Sequence, residues 1–197
     1  MVAMTAAATL PTQHGDFYLQ SYHSVDTSSP VVGEPILVLS KGLDRCRVPL
    51  VRIHSECITG DVFGSQRCDC GDQLQRSMAL ISESGCGAVI YLRQEGRGIG
   101  IENKLKAYQL QELGLDTVDA NVQLGLPIDA RDYADAIDIM LQLGIKQCDL
   151  LTNNPQKIAA VSDSSITLNC VVALHVQPSH SSGVAYVKTK QERLGHR

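Results

Sequence analysis

Residues 88–108 read AVIYLRQEGRGIGIENKLKAY, and this stretch sets the fold class. Ala88 to Leu92 is a short apolar run of strand type. It enters the glycine-rich turn Glu95-Gly96-Arg97-Gly98-Ile99-Gly100, and then an amphipathic helix with Ile101, Leu105 and Tyr108 on one face. Strand, turn and helix in that order predict mixed α and β structure. The same order suits anion binding, because glycines let the backbone approach closely and a helix N-terminus offers free amides. Arg97 would add a bidentate donor, which suits phosphate better than a lysine point charge. The glycine spacing matches neither the dinucleotide fingerprint nor a P-loop. Two readings therefore stand, a phosphate cradle and a tight turn that merely needs positive φ.

Outward from this stretch the alternation continues. Residues 35–39 and 47–54 read as buried strands. Leu74, Met78 and Ile81 recur at helical spacing over residues 73–84, with Gly85 as the stop. Residues 116–121 form a polar stretch read as loop. A third helix begins near Tyr133, carries Ile137, Met140 and Leu141, and stops at Gly144. Asp129 reads as its N-cap, with Asp132 near the positive helix end. Residues 148–152 read as a further strand, and Pro155 suits a first helical turn bracketed by Thr152 and Lys157. With no repeat, low-complexity tract or long linker, the 197 residues are expected to form one domain.

Cys57, Cys68 and Cys70 carry the strongest chemical signal. Three thiolates without an evident fourth ligand describe an open metal site, and catalytic zinc keeps three protein ligands whereas structural zinc is closed by four. Two bland readings compete. The cysteines could be small buried hydrophobes at chance spacing, or Cys46, Cys86 or Cys148 could close a structural four-cysteine knuckle.

A charged fraction of 19% and a hydrophobic fraction of 44% exclude a disordered chain. With no tryptophan and two phenylalanines, the core should be aliphatic. The net charge of -4 argues against nonspecific nucleic-acid binding. No segment has the apolar length of a membrane span, and MVAMTAAATL lacks the basic flank of a secretory signal. A cytoplasmic protein with reduced cysteines is expected, and the odd count of seven fits a disulfide framework poorly.

RIHSECITGDVFGSQRCDCGDQL (52–74), RQEGRGIGIENKLKAYQLQELGLDTVDAN (93–121), DARDY (129–133) and LLTNNPQK (150–157) follow in that order. Together they resemble GTP cyclohydrolase II. The resemblance runs from LPTQHGDF (10–17) to VKTKQERLGH (187–196) and is firmest between Pro49 and Lys157.

The resemblance implies an α/β (α+β) fold with one mixed β-sheet flanked by helices, usually as a homodimer. It implies the opening reaction of riboflavin synthesis: GTP loses C8 as formate, loses pyrophosphate, and becomes a diamino-ribosylamino-pyrimidinone phosphate. Zn2+ and Mg2+ are implied cofactors. Cys57, Cys68 and Cys70 would hold the zinc, leaving its fourth position to the water that attacks C8. Three thiolates outweigh the dication by one charge, so such a zinc acidifies water less than a three-histidine site, and the attack calls for nearby acceptors or a base.

Arg52, Ile53, His54, Ser55, Glu56, Gln73, Glu95, Gly96, Arg97, Thr117, Thr152 and Lys157 stand at GTP-binding positions of the family. Asp129 stands at that of the proton acceptor and Arg131 at that of the nucleophile on the α-phosphate. Arginine is effectively always protonated, so Arg131 serves equally well as a cation stabilising the phosphoryl transition state. Tyr108 matches a tyrosine that positions the base or opened ring for complete hydrolysis, or else it packs on its helix face with Leu105.

The chain departs from the family pattern at Ser164-Ser165-Ile166 and Val172-Ala173-Leu174, where a glycine turn and a Val-Pro-Leu strand end are usual. Three other functions compete. A paralogue could stop at the formylated intermediate or at pyrophosphate release. A non-enzymatic zinc or nucleotide-binding module would close the metal with a fourth ligand. A zinc nucleoside deaminase would need the Pro-Cys-x-x-Cys half of its signature, which is missing.

Overall fold

A computed structural model describes residues 1–24, 34–174 and 181–195. Among the described residues, seven strands form one mixed sheet: β1 (Val2–Thr12), β2 (Gly15–Ser24), β3 (Ile36–Lys41), β4 (Leu50–Ser55), β5 (Gly87–Leu92), β6 (Gln147–Leu151) and β7 (Thr167–Val172). Their spatial order is β1-β2-β3-β5-β4-β6-β7. The first side is antiparallel, β1 to β2, β2 to β3 and β3 to β5, and the second is parallel, β4 to β6 and β6 to β7. The α/β character and the mixed sheet expected from the sequence are both present.

The helices are α1 (Ile58–Asp61), α2 (Cys70–Ser84), α3 (Gly100–Glu112), α4 (Thr117–Gln123), α5 (Ala134–Gln142), α6 (Pro155–Ser162) and α7 (Ser181–Leu194). Two compact units emerge. The first comprises residues 1–54, 75–93 and 133–174, and the second comprises the described residues of 55–74, 94–132 and 175–197.

The first unit holds the large core. Val38, Val51, Ile53, Ala88, Ile90, Leu92, Ile139, Met140 and Leu150 are buried there. Each fully buried aliphatic chain contributes on the order of 1.5–3 kcal/mol. The core is aliphatic as expected, with Tyr22 and Tyr133 added. On α5, Ala136, Ile139 and Met140 are the buried positions, at the three-and-four spacing of one helix face. α6 begins as its sequence predicts: the Asn154 side chain accepts from Gln156 N at 2.8 Å and Pro155 occupies the first turn.

Four expectations are corrected. Residues 116–121 are not a loop, because the Asp116 carboxylate accepts from Val118 N and Asp119 N and caps α4. Asp129 does not cap the third long helix, which starts after Tyr133 without a side-chain cap; its carboxylate is taken by Arg131. On α3, Ile101 and Leu105 are exposed and Ala107 is the buried position, so the expected apolar face does not turn inward. Finally, the cysteines are not all reduced. Cys46 and Cys86 form a disulfide, where the pairing of Lys41 with Gly87 and the bond from Leu50 N to Cys86 O bring the two segments together.

Candidate active site

In the second unit the Cys57 backbone opens the single turn of α1, Cys68 precedes α2, and Cys70 begins it. The sulfurs of Cys57 and Cys68 are 3.6 Å apart, and all three ligand atoms lie within 4.8 Å of one another. Zinc–sulfur bonds of about 2.3 Å in a tetrahedral arrangement put sulfurs roughly 3.8 Å apart, so the cluster fits such an ion. Chance placement of these cysteines is thereby set aside. Of the residues that might have closed a knuckle, Cys46 and Cys86 are bonded to each other and Cys148 lies on β6 in the first unit.

Small residues make the cluster possible. A Cβ on Gly60 would sit 2.9 Å from Cys68 Sγ, and one on Gly71 would sit 2.3 Å from Gly60 O. Asp61 fixes the turn by accepting from Cys57 N at 2.9 Å. Hydrogen bonds from Cys68 and Cys70 hold the Cys57 thiol far below its usual value, with Lys104 also acting in that direction. As the partner in that bond, Cys68 is pushed up to about 11. Burial, and then the charges of Glu95, Asp61 and Cys57, raise Glu56 above the ordinary carboxylate range.

The turn after β5 borders this cluster. Glu95 accepts from Ile58 N at 2.6 Å, from Gly96 N at 2.7 Å and from Lys104 Nζ at 2.8 Å. Gly96, Gly98 and Gly100 all have positive φ, as the tight-turn reading requires, and so does Arg97 at 62°. Such a conformation in a non-glycine residue stores strain of order 1–3 kcal/mol and clusters at functional sites. Arg97 O accepts from Ala130 N at 3.0 Å, and Gly98 lies close enough to Ala130 that a Cβ would meet its backbone at 3.1 Å. The turn therefore seats the segment that carries Asp129 and Arg131.

Those two side chains form a two-point ion pair, with Nε to Oδ1 at 2.8 Å and a terminal nitrogen to Oδ2 at 2.6 Å. Burial alone would raise the Asp129 carboxyl, but Arg131, helped by Arg97, holds it below the usual aspartate range. Tyr108 is half-buried on α3, where Leu105 is exposed. Its ring lies under the Arg67 guanidinium at 4.7 Å and 5.8 Å from Lys104 Nζ, and its hydroxyl bonds to Thr59. Burial pushes the Tyr108 hydroxyl up to about 12. Gln73 is buried, donating to Asp69 Oδ2 at 2.6 Å. Thr117 opens α4.

Arg52, Ile53, His54, Thr152 and Lys157 belong to the first unit. They gather at the carboxyl ends of the parallel neighbours β4 and β6, the usual ligand side of such sheets. Arg52 donates to Leu151 O at 3.0 Å, and Lys157 donates to Ile53 O at 2.8 Å with its ammonium 5.6 Å from the Tyr133 ring. His54 stacks on Tyr91 at 5.4 Å. Arg52 and Lys157 are 5% and 4% exposed, so neither is the solvated surface cation that composition alone would suggest. Ser55 and Glu56 fall in the second unit.

Lys104, Thr59, Asp61, Gly60 and Gly71 were not singled out by sequence reasoning. Lys104 looks there like a polar position on an amphipathic helix, and only the fold turns it to the cluster. The two glycines flanking the cysteines were the available signal for close packing.

Residues 3–173 match the family model for GTP cyclohydrolase II. The chain belongs to that family. It is 48% identical over 196 residues to the riboflavin biosynthesis protein RibBA of Salinispora tropica, covering 99% of this chain and 48% of that protein. It is also 48% identical over 198 residues to GTP cyclohydrolase-2 of Acinetobacter baylyi, covering 99% of this chain and 96% of that protein. The chain thus spans about half the length of the RibBA relatives it matches. A solved structure of RibBX, a two-domain 3,4-dihydroxy-2-butanone 4-phosphate synthase from A. baumannii, is similar over 88% of this chain and 40% of its own, with a TM-score of 0.49 and 17% identity.

Proposed function

We propose that the chain hydrolyses GTP as a GTP cyclohydrolase II, opening the imidazole ring of the base with release of C8 as formate and cleaving pyrophosphate from the triphosphate. The observation that carries this reading is the three-cysteine cluster at metal-binding spacing, in a chain that matches the family over residues 3–173. Zinc held by Cys57, Cys68 and Cys70 would supply Lewis-acid activation of water at neutral pH.

The chain's own groups do the rest. Arg52, Ile53, His54, Ser55, Glu56, Gln73, Glu95, Gly96, Arg97, Thr117, Thr152 and Lys157 bind GTP, the cations opposing its phosphates while Mg2+ accompanies the triphosphate. Tyr108, with its hydroxyl on Thr59 beside the cluster, positions the base for complete hydrolysis. Glu56, with its raised affinity for a proton, is suited to carry one near the ring. Arg131 acts as a cation on the α-phosphate, and Asp129 orients it through the two-point ion pair. Residues 1–197 act as one catalytic domain in a cytoplasmic homodimer, and the product enters riboflavin synthesis.

The test is product analysis. The metal-quantified protein is incubated with GTP and Mg2+, the nucleotide product is identified by mass spectrometry, and formate and pyrophosphate are measured. Formate, pyrophosphate and the diamino-pyrimidinone phosphate together, with about one zinc per chain, support the reading. Pyrophosphate without formate identifies a paralogue whose ring chemistry is arrested, at the formylated intermediate or before it. Unchanged GTP leaves a binding module.

A further inference from the structure

Lys104 lies on α3 with its side chain 11% exposed. Its ammonium has three partners at donor distance: Cys57 Sγ at 3.1 Å, Thr59 Oγ1 at 2.9 Å and Glu95 Oε1 at 2.8 Å. A lysine ammonium has three N–H donors and no acceptor, so these contacts use its full capacity. Glu95 is itself fixed by Ile58 N and Gly96 N, and it holds the ammonium against the sulfur.

Pairing with Glu95 alone would satisfy the charge of a buried lysine. The contact with Cys57 Sγ goes further, because that sulfur is one of the three atoms arranged for a metal. Three thiolates around a divalent ion leave one surplus negative charge, and their donation weakens the ion as a Lewis acid. A cation donating a hydrogen bond to one sulfur cancels that surplus and withdraws electron density from the ligand.

We propose that Lys104 is a positioning residue of the metal centre, whose hydrogen bond to Cys57 Sγ offsets the surplus thiolate charge and keeps the bound ion an effective Lewis acid. The inference rests on the three-cysteine metal reading above. It accounts for how a three-thiolate site, poorly suited by charge to activating water, serves hydrolysis.

The test compares Lys104→Met and Lys104→Arg with the parent protein, each loaded with Co2+ in place of zinc. Loss of a hydrogen bond to sulfur raises the sulfur lone pair, so the thiolate-to-cobalt charge-transfer band of Lys104→Met is expected at longer wavelength. Lys104→Arg, which keeps the cation, is expected to hold the parent position. With zinc and GTP, formate release by Lys104→Met should fall about 10- to 100-fold at neutral pH, and its acid limb should move to higher pH, with partial rescue by arginine. Bands that coincide in all three proteins overturn the proposal, since a lysine that only packs against Glu95 leaves the thiolate unchanged. Cobalt lost from Lys104→Met but held by Lys104→Arg supports a need for the cation, and loss from both overturns it. If the parent itself releases no formate, the cyclohydrolase reading fails, while the cobalt band still decides the role of Lys104.

Discussion

The guanidinium of Arg131 grips the carboxylate of Asp129 at two points, 2.8 Å and 2.6 Å, although the residues are only two apart. Arg131 N also donates to the same carboxylate at 3.1 Å, so the turn is closed on itself. A planar guanidinium held at two points keeps its proton and presents a fixed positive charge. Arg131→Gln should lower pyrophosphate release about 10²–10³-fold, the usual loss on removing a group that stabilises transition-state charge. Arg131→Lys keeps the cation without the fork and should retain measurable release. Background rates in both variants would instead favour arginine as nucleophile.

The pairing makes acid stability depend on Asp129. Its carboxyl lies below the ordinary aspartate range in the folded chain. A depressed carboxyl adds stability that is complete above its unfolded value and disappears as pH falls through its folded one. Denaturant midpoints at about pH 6 and about pH 3 should therefore converge between the parent and Asp129→Asn at the acid end. A gap of equal size at both values would remove Asp129 from the account.

The proposed function divides metal chemistry and phosphoryl chemistry between different groups, which gives a separable outcome. Cys68→Ser should lose bound metal and formate release while keeping part of its pyrophosphate release. Parallel measurement of both products in the folded variant decides this, and equal loss of both would contradict the division.

Gly98 has a φ of 87°, and any Cβ there would lie 3.1 Å from the Ala130 backbone. Gly98→Ala should cost about 1–2 kcal/mol through the left-handed backbone. It should also displace residues 129–131 and lower turnover out of proportion to that cost. Thermal midpoints set beside GTP turnover make the comparison; activity that tracks stability alone would dismiss a seating role for the turn.

The disulfide joins residues 40 apart in sequence. Reduction should release the loop in the unfolded chain and lower stability by about 2–4 kcal/mol. Denaturant curves with and without reductant, repeated on Cys86→Ser, measure this. Curves that superimpose would show that the bond adds nothing to stability.

The alternation of strands and helices was legible in the sequence because local spacing records it. Residues 35–39, 73–84, 88–92 and 148–152 lie within a few positions of β3, α2, β5 and β6. Helix α4 was missed because Asp116-Thr117-Val118-Asp119 reads as polar loop unless Asp116 is taken as a cap. β1 exposes nine of its eleven residues and the edge strand β7 three of its six, so neither shows a buried apolar alternation.

The sequence alone marked the three cysteines as candidate metal ligands, and it carried the glycine turn and the family resemblance. Each is written in residue types at short spacing, where the chemistry of a side chain can be read directly. Only the tertiary structure decided the company those residues keep. It bonded Cys46 to Cys86, turned Lys104 to a thiolate 47 positions away, locked Asp129 to Arg131, and left Ile101 and Leu105 facing outward. Partners distant in the chain are chosen by burial and hydrogen-bond satisfaction in the folded state, and a linear pattern does not record that choice.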